Sequence, residues 1–310
     1  MKKLFLFASL PAALIVSLSA PISVFAQQNA QNTRITVTPV TFSLTSNPGD
    51  SLNNVIKVRN DGAVSQQVTV EALDFKPEGE EGGVALSEED TSSYSLASWI
   101  QIDNPSFTLG AGQERNVPFL IRVPGNAEPG GHYASVFAYV SPPNTQQSSG
   151  SFIGQRVGSL ILLRVAGDVQ ESATIESFEK VQENPSSPVL FNIRVKNDGS
   201  VHVRPQGFVT ITDVFNNKVA DLKVDERNVL PDSVRRLEAN WENPPFIGYF
   251  NASVLLQYGE NNNQMTSTMT FWILPLKELA IGGAILLVAL FILWLGRKRI
   301  GKSMAALVGK

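Results

Sequence analysis

The sequence predicts an all-β chain: two sandwich domains in tandem, then one membrane-crossing helix. Three observations carry this. Short alternating apolar runs, bounded by Gly, Pro, Asn or Asp, fill the stretch from residue 34 to residue 273, and no segment there keeps a helical period. A nine-residue segment is written twice, as I-K-V-R-N-D-G-A-V from Ile56 and I-R-V-K-N-D-G-S-V from Ile193, 137 positions apart. An 18-residue apolar run, Leu279 to Gly296, stands near the C-terminus; as a helix it would span about 27 Å, close to the thickness of a bilayer core.

The strands come first. Ile35, Val37, then Val40, Phe42 and Leu44, Ile56 with Val58, Val68 with Val70, Phe119 with Ile121 and Val123, and the runs Val136–Val140 and Leu160–Val165 all read as strands with one buried face. In the repeated nonamer Ile56 and Val58 face one way while Lys57 and Arg59 face the other, and Ile193, Val195, Arg194 and Lys196 repeat the pattern. Asn-Asp-Gly then turns the chain, since Gly accepts positive φ and Asn and Asp tolerate it. If the flanking strands pair directly as a hairpin, a two-residue loop sets Val68 on the face opposite Ile56, whereas a three-residue loop, Asp61-Gly62-Ala63, pairs Ile56 with Val68 on one face. The longer loop is therefore expected, with Gly in the left-handed region. The second copy keeps the same parity through Val201, Val203, Val209 and Ile211, and Pro205 marks an edge or bulge in its return strand.

A second echo follows in the same order, G-H-Y-A-S-V-F from Gly131 and G-Y-F-N-A-S-V-L from Gly248. Two features recurring in order argue for two copies of one domain, at Arg34–Asp168 and Ala173–Ile273. Ser141–Ser151 is expected to be a loop inside the first copy rather than a linker. The stretch Glu78–Asp90, six of whose 13 residues are acidic, reads as a solvated tip; it lacks the regular oxygen spacing of a calcium loop.

The two ends set a topology. Lys2 and Lys3, the apolar run Leu4–Leu18 and small residues at Val24 and Ala26 form an export signal over residues 1–26, cut before Gln27. The membrane helix is placed at 276–296, with Trp272 and Trp294 near its ends as interface anchors. Residues 297–310 hold five basic residues and no acidic one, which sets this tail in the cytoplasm and the body outside a cell membrane crossed once. All 28 acidic residues fall in the exported part with 18 of the 25 basic ones, a formal charge of −10 that disfavours nucleic acid as a ligand. With no cysteine, the domains stand on their cores alone and no cysteine nucleophile exists.

Catalytic machinery is not expected. The two histidines, His132 and His202, fall in different domains, too few and too far apart in sequence for a zinc site, and no phosphate loop is present. No cofactor and no metal is expected, although a Ser-His-Asp site can be scattered in sequence and a hydrolase in a sandwich scaffold stays open. The ligand-binding candidates are Trp99, a core tryptophan or a stacking platform for a sugar face, and His132 with Tyr133 at the start of a strand after Gly130-Gly131.

The segments P-G-D-S-L from Pro48, the first nonamer, L-A-S-W-I from Leu96, L-G-A-G-Q-E-R-N-V-P-F from Leu109, V-P-G-N-A-E-P-G-G-H-Y-A-S-V from Val123 and G-Q-R-V-G-S-L-I-L-L-R-V-A-G from Gly154 resemble the WxL-interacting protein family of Gram-positive bacteria. The resemblance covers about 130 residues and implies two immunoglobulin-like sandwiches, the first binding peptidoglycan and the second binding host or partner proteins. Residues 173–273 match less well beyond their sandwich pattern. Trp272-Ile273-Leu274 is not itself a WxL domain. Two functions are therefore expected: a surface protein tethering cell-wall polymer, secreted or surface proteins, or both; or a stalk or chaperone-like assembly protein whose strand edges pair with another secreted chain.

Overall fold

The computed structural model describes residues 34–87, 93–140, 155–181 and 188–307. The export signal and the Ser141–Ser151 loop lie outside the described residues, as do the end of the acidic stretch and the last three residues of the tail. The first sandwich is built from β1 (Ile35–Thr38), β2 (Thr41–Ser46), β3 (Ser51–Asn60), β4 (Gln66–Glu78), β5 (Gly83–Ser87), β6 (Ile100–Ile102), β7 (Ser106–Leu109), β8 (Glu114–Arg122), β9 (Gly130–Val140) and β10 (Arg156–Val165). One sheet runs β1-β3-β8-β6; the other runs β2-β10-β9-β4-β5, with β7 also on β4. The second sandwich uses β11 (Ala173–Val181), β12 (Val189–Asn197), β13 (Gln206–Thr212), β14 (Lys218–Lys223), β15 (Ser233–Trp241), β16 (Gly248–Tyr258) and β17 (Asn263–Ile273). Its sheets run β11-β12-β15 and β14-β13-β16-β17.

These are two immunoglobulin-like sandwiches, and they are equivalent strand by strand. The order β1-β3-β8 matches β11-β12-β15, and β5-β4-β9-β10 matches β14-β13-β16-β17. Both sequence echoes fall on equivalent strands: the nonamers on β3 and β12, the second echo on β9 and β16. The first sandwich adds β2, parallel to β10, and the short strands β6 and β7.

The alternating residues face inward. Ile56, Val58, Val68, Val70, Ile121 and Leu163 centre one core; Ile193, Val195, Val209, Ile211, Leu237 and Leu256 centre the other, all essentially inaccessible to water. Each such side chain contributes about 1.5–3 kcal/mol of burial. An edge-to-face cluster of Trp241, Phe250 and Phe271 closes the end of the second core nearest the C-terminus.

The expected hairpin at Asn-Asp-Gly is not formed. β3 pairs with β1 and β8, and β4 lies in the opposite sheet, so the chain crosses from one sheet to the other at this corner; β12 and β13 do the same. The parity survives because facing sheets, like a hairpin's common face, need both strands to point their apolar residues at one core. Neither Gly62 nor Gly199 adopts a positive φ. The turn is held instead by asparagine. Asn60 Nδ2 donates to Val64 O at 2.8 Å and Leu109 O at 3.0 Å, and its Oδ1 accepts Gly62 N at 3.0 Å. Asn197 repeats this with Val201 O and Val229 O, both at 2.9 Å, and Gly199 N at 2.9 Å. Both asparagines are wholly buried. Pro205 stands just before β13, so the return strand re-forms at Gln206.

After β17, only Leu274 and Pro275 precede α1 (Leu276–Leu307). Its window Lys277–Trp294 has mean hydropathy 2.0 and none of it is buried, so by length and composition it can cross a membrane. The helix runs on through the basic segment as far as Leu307.

Candidate functional site

The outer face of the β2-β10-β9-β4-β5 sheet is the place where the sandwiches meet. Period-2 alternation sends Ile161 and Leu163 of β10 into the first core and Leu160 and Leu162 to this outer face. There Phe75, Tyr133 and Leu162 form a small apolar cluster of their own, against which Leu230 of the second sandwich packs. Around it the contacts are polar. Tyr133 Oη accepts His202 N at 2.8 Å, Gly131 N donates to Ser200 O at 2.9 Å, and Tyr94 Oη donates to Asp232 at 3.1 Å. Gly130, at φ +137°, lies so close to Ser200 that a Cβ would stand 2.9 Å from its carbonyl oxygen.

The acidic stretch is not a free tip at its start. Glu80 accepts a two-pronged contact from Arg194, at 2.8 and 2.6 Å, and Arg194 also reaches Glu176 at 2.8 Å. Glu81 pairs with Arg236, and Glu80 O accepts Arg236 N at 3.0 Å. The Arg194 hydrogen bonds hold the Glu80 carboxyl below its ordinary range, and Glu80 raises the Arg194 guanidinium in turn. On the other flank Arg164 of β10 meets Glu171 at 2.5 Å and Glu260 at 3.2 Å.

Between these contacts lies a cleft of about 200 Å³, lined by Thr41, Phe75, Val84, Leu160, Arg227 and Arg235 among others. Arg235 is its distinctive group. It stands opposite Val195 in the β12–β15 ladder, two residues before Leu237 on the same face of β15. Its Nε is buried without a hydrogen-bond partner, and no carboxylate among the described residues pairs with it. The guanidinium lies against Gly82, at φ +91°, where a Cβ would overlap it. Burial, then the charge of Arg227, lowers its pKa from the ordinary value. The strands at both ends of the sheet, β2 and β5, contribute to the lining and are each paired on one side only.

The structure separates the three residues singled out from sequence. His132 and Tyr133 are neighbours on β9, so they point to opposite faces. His132 turns inward, its Nδ1 3.0 Å from Ser95 O and its Nε2 3.0 Å from Glu128 O, with the Trp99 ring 4.4 Å away. Trp99 is half-buried in a short 3-10 turn that Asp74 holds, accepting Leu96 N at 2.9 Å and Ala97 N at 2.7 Å. Tyr133 faces the second sandwich, and burial raises its hydroxyl pKa. His202 beside it is held down to about 4, by burial first and then by Arg164.

Sequence reasoning missed Asp74, Glu80 and Arg235. For Arg235 a signal was present. Trp241, Ala239 and Leu237 mark the inward face of β15, and residue 235 continues it with a charge. Among the described residues no group of three or more His, Asp or Glu side chains gathers to hold a metal ion.

No family model matches this chain, and no curated protein does. Solved structures similar to it include the class 5 fimbriae chaperone CfaA, 12% identical with a TM-score of 0.40 over 76% of this chain and 98% of that one. The Pseudomonas aeruginosa CupB2 chaperone is 10% identical, with a TM-score of 0.37 over 75% and 98%. A PapD-like domain of human CEP192 is 12% identical, with a TM-score of 0.31 over 50% and 98%.

Proposed function

We propose that the chain is a membrane-anchored, non-enzymatic binding protein whose body receives a segment of another secreted or surface polypeptide in the cleft between its sandwiches. The observation that carries this is Arg235: a partly buried guanidinium, without a carboxylate partner among the described residues, on the wall of a cleft lined in part by the two outermost strands of the sheet. A partner's carboxylate would supply the missing charge, and its backbone could extend the sheet at β5 or β2. This is the chaperone-like or assembly role set out above. In this reading α1 crosses the membrane once, with the body outside and the basic tail in the cytoplasm.

A photo-crosslinking residue in the full chain tests it, placed at Val84 beside the cleft or at Asn116 on the first sandwich as a control. The expected result is a discrete protein adduct at Val84 that disappears in Arg235→Glu and returns in Arg235→Lys. No adduct at Val84, or one indifferent to residue 235, would sink it.

Retention of cell-wall polymer is the second reading. It rests on the family resemblance and on Trp99, a half-buried indole packed at the margin of the first core, whose ring is of the kind that stacks on a sugar. Binding of the full chain to purified peptidoglycan, weakened in Trp99→Leu and unchanged in Arg235→Glu, would favour it over the cleft.

A further inference from the structure

The second sandwich has two ends of opposite character. The end carrying the Asn197 corner, Asp232 and the Gly259–Asn262 turn is engaged with the first sandwich by the polar contacts above. The other end is set by three registers: Thr212 pairs with Asn251, Gly248 with Ile273, and Lys218 with Thr212. These bring the 213–217 turn, the segment before β16 and the exit of β17 to one pole. Six apolar side chains are exposed there: Val214, Phe215, Phe246, Ile247, Trp272 and Leu274. Outside α1, four Phe or Trp side chains among the described residues are more than half exposed, and three of them, Phe215 at 81%, Phe246 at 59% and Trp272 at 58%, stand at this pole.

The pole is built rather than frayed. The Asp213 carboxylate accepts Phe215 N at 2.9 Å and Asn217 N at 2.8 Å, and Asn216 takes a positive φ of 64°, which fixes the turn that carries Phe215. Trp272 packs against Tyr249 at 4.7 Å, and its carbonyl accepts Lys180 Nζ at 2.9 Å.

The same pole carries α1. Between Ile273 and the helix lie two residues, one of them the buried Pro275, whose carbonyl accepts Leu279 N at 2.9 Å. Three residue steps reach about 10 Å at most, comparable to the headgroup layer on one side of a bilayer. A sandwich tied this closely to a membrane helix cannot stand away from the surface. Exposed aromatic and aliphatic groups at that depth are favoured by the interface, where amphipathic rings settle.

We propose that this pole lies in the headgroup layer of the membrane that α1 crosses, with Phe215, Phe246 and Ile247 inserted as a collar around the helix. The occupant is lipid, because the surface is continuous with the helix that enters it. The proposal rests on α1 spanning a bilayer, so its test must report on the helix separately.

The chain has no cysteine, so single nitroxide labels can be introduced without background at F215C, I247C, L287C and N116C. Each labelled full-length chain is reconstituted into phosphatidylcholine–phosphatidylglycerol vesicles, and collisions with oxygen and with a water-soluble nickel chelate are compared. Unfolding profiles matching the unsubstituted chain confirm that the label is tolerated. The expected result is a deep position for Leu287, an interfacial one for Phe215 and Ile247 with nickel access reduced several-fold relative to Asn116, and full nickel access at Asn116. Phe215 and Ile247 as open to nickel as Asn116, with Leu287 deep, would overturn the collar and leave the span intact. Nickel access at Leu287 overturns the span and the collar with it. Labels at Phe215 and Ile247 immobilised and shielded from both reagents point to a protein partner at this pole and overturn the lipid assignment.

Discussion

The two Asn-Asp-Gly corners use the same hydrogen bonds for different ends. In each, a buried asparagine ties two backbone carbonyls and one N–H across the crossing between sheets. The first corner looks away from the second sandwich; Asp61 there accepts Thr36 Oγ1 at 2.5 Å and pairs with Arg59 at 2.9 Å. The second corner docks: Ser200 O accepts Gly131 N, Ser200 N donates to Gln170 O, and Asp198 N donates to Ser172 O. A local device that closes one sandwich has become, in the other copy, the surface against which the first sandwich rests. Sequence identity at a corner therefore fixes the crossing, while the neighbours decide whether it is also an interface.

The largest expected effect comes from removing the asparagines. Asn60→Ala and Asn197→Ala each leave buried backbone groups unpaired and should cost about 2–4 kcal/mol in denaturant unfolding. Asn197→Ala should also separate the unfolding of the two sandwiches, and a single unchanged transition there would break the comparison. Next comes pH. His202 is held at about 4 in the folded state, below its unfolded value of 6.5. Below pH 6.5 the unfolded chain therefore binds more protons than the folded one, so stability falls as pH drops from about 6.5 toward 4, by about 1–2 kcal/mol after allowing for partial exposure. His202→Gln should flatten that slope; an unaltered slope would remove His202 from the account.

Tyr133→Phe removes an acceptor facing His202 N and should cost about 1 kcal/mol, felt at the docking step rather than in either core. Limited proteolysis of the 166–172 connection is a direct readout, and an unchanged cleavage rate would count against it. The smallest effect belongs to the exposed clamp. Arg194→Met should lower stability only slightly, and the loss should shrink further in high salt; a large, salt-independent loss would mean that the Arg194 stem packs more than its charge attracts.

How much was legible depended on how local the information was. The strand faces could be read because a period of two is written into neighbouring residues: Ile56, Val58, Ile193 and Val195 are all buried as their parity requires. The same parity could not distinguish a hairpin from a crossing, since both send the apolar set to one side, and the choice belongs to β8 and β15, which pair with β3 and β12 from 36 to 71 residues away. Glu80 read as solvated because its partner, Arg194, lies 114 residues on. His132 and Tyr133 were grouped by adjacency, yet adjacent strand residues face opposite ways, and the pleat divided them between the first core and the docking surface.

By itself the sequence determined the strand-rich class, the doubling of the domain and the apolar helix at the end, because each follows from periodicity or repetition along the chain. Only the tertiary structure decided that the asparagine corners bridge two sheets, that a charged residue on the inward face of β15 stands in a cleft with no carboxylate partner among the described residues, and that three distant apolar segments share the pole from which α1 leaves. Those outcomes depend on which strands find each other across long loops, and that pairing is settled by the packing of whole faces rather than by any stretch of residues read alone.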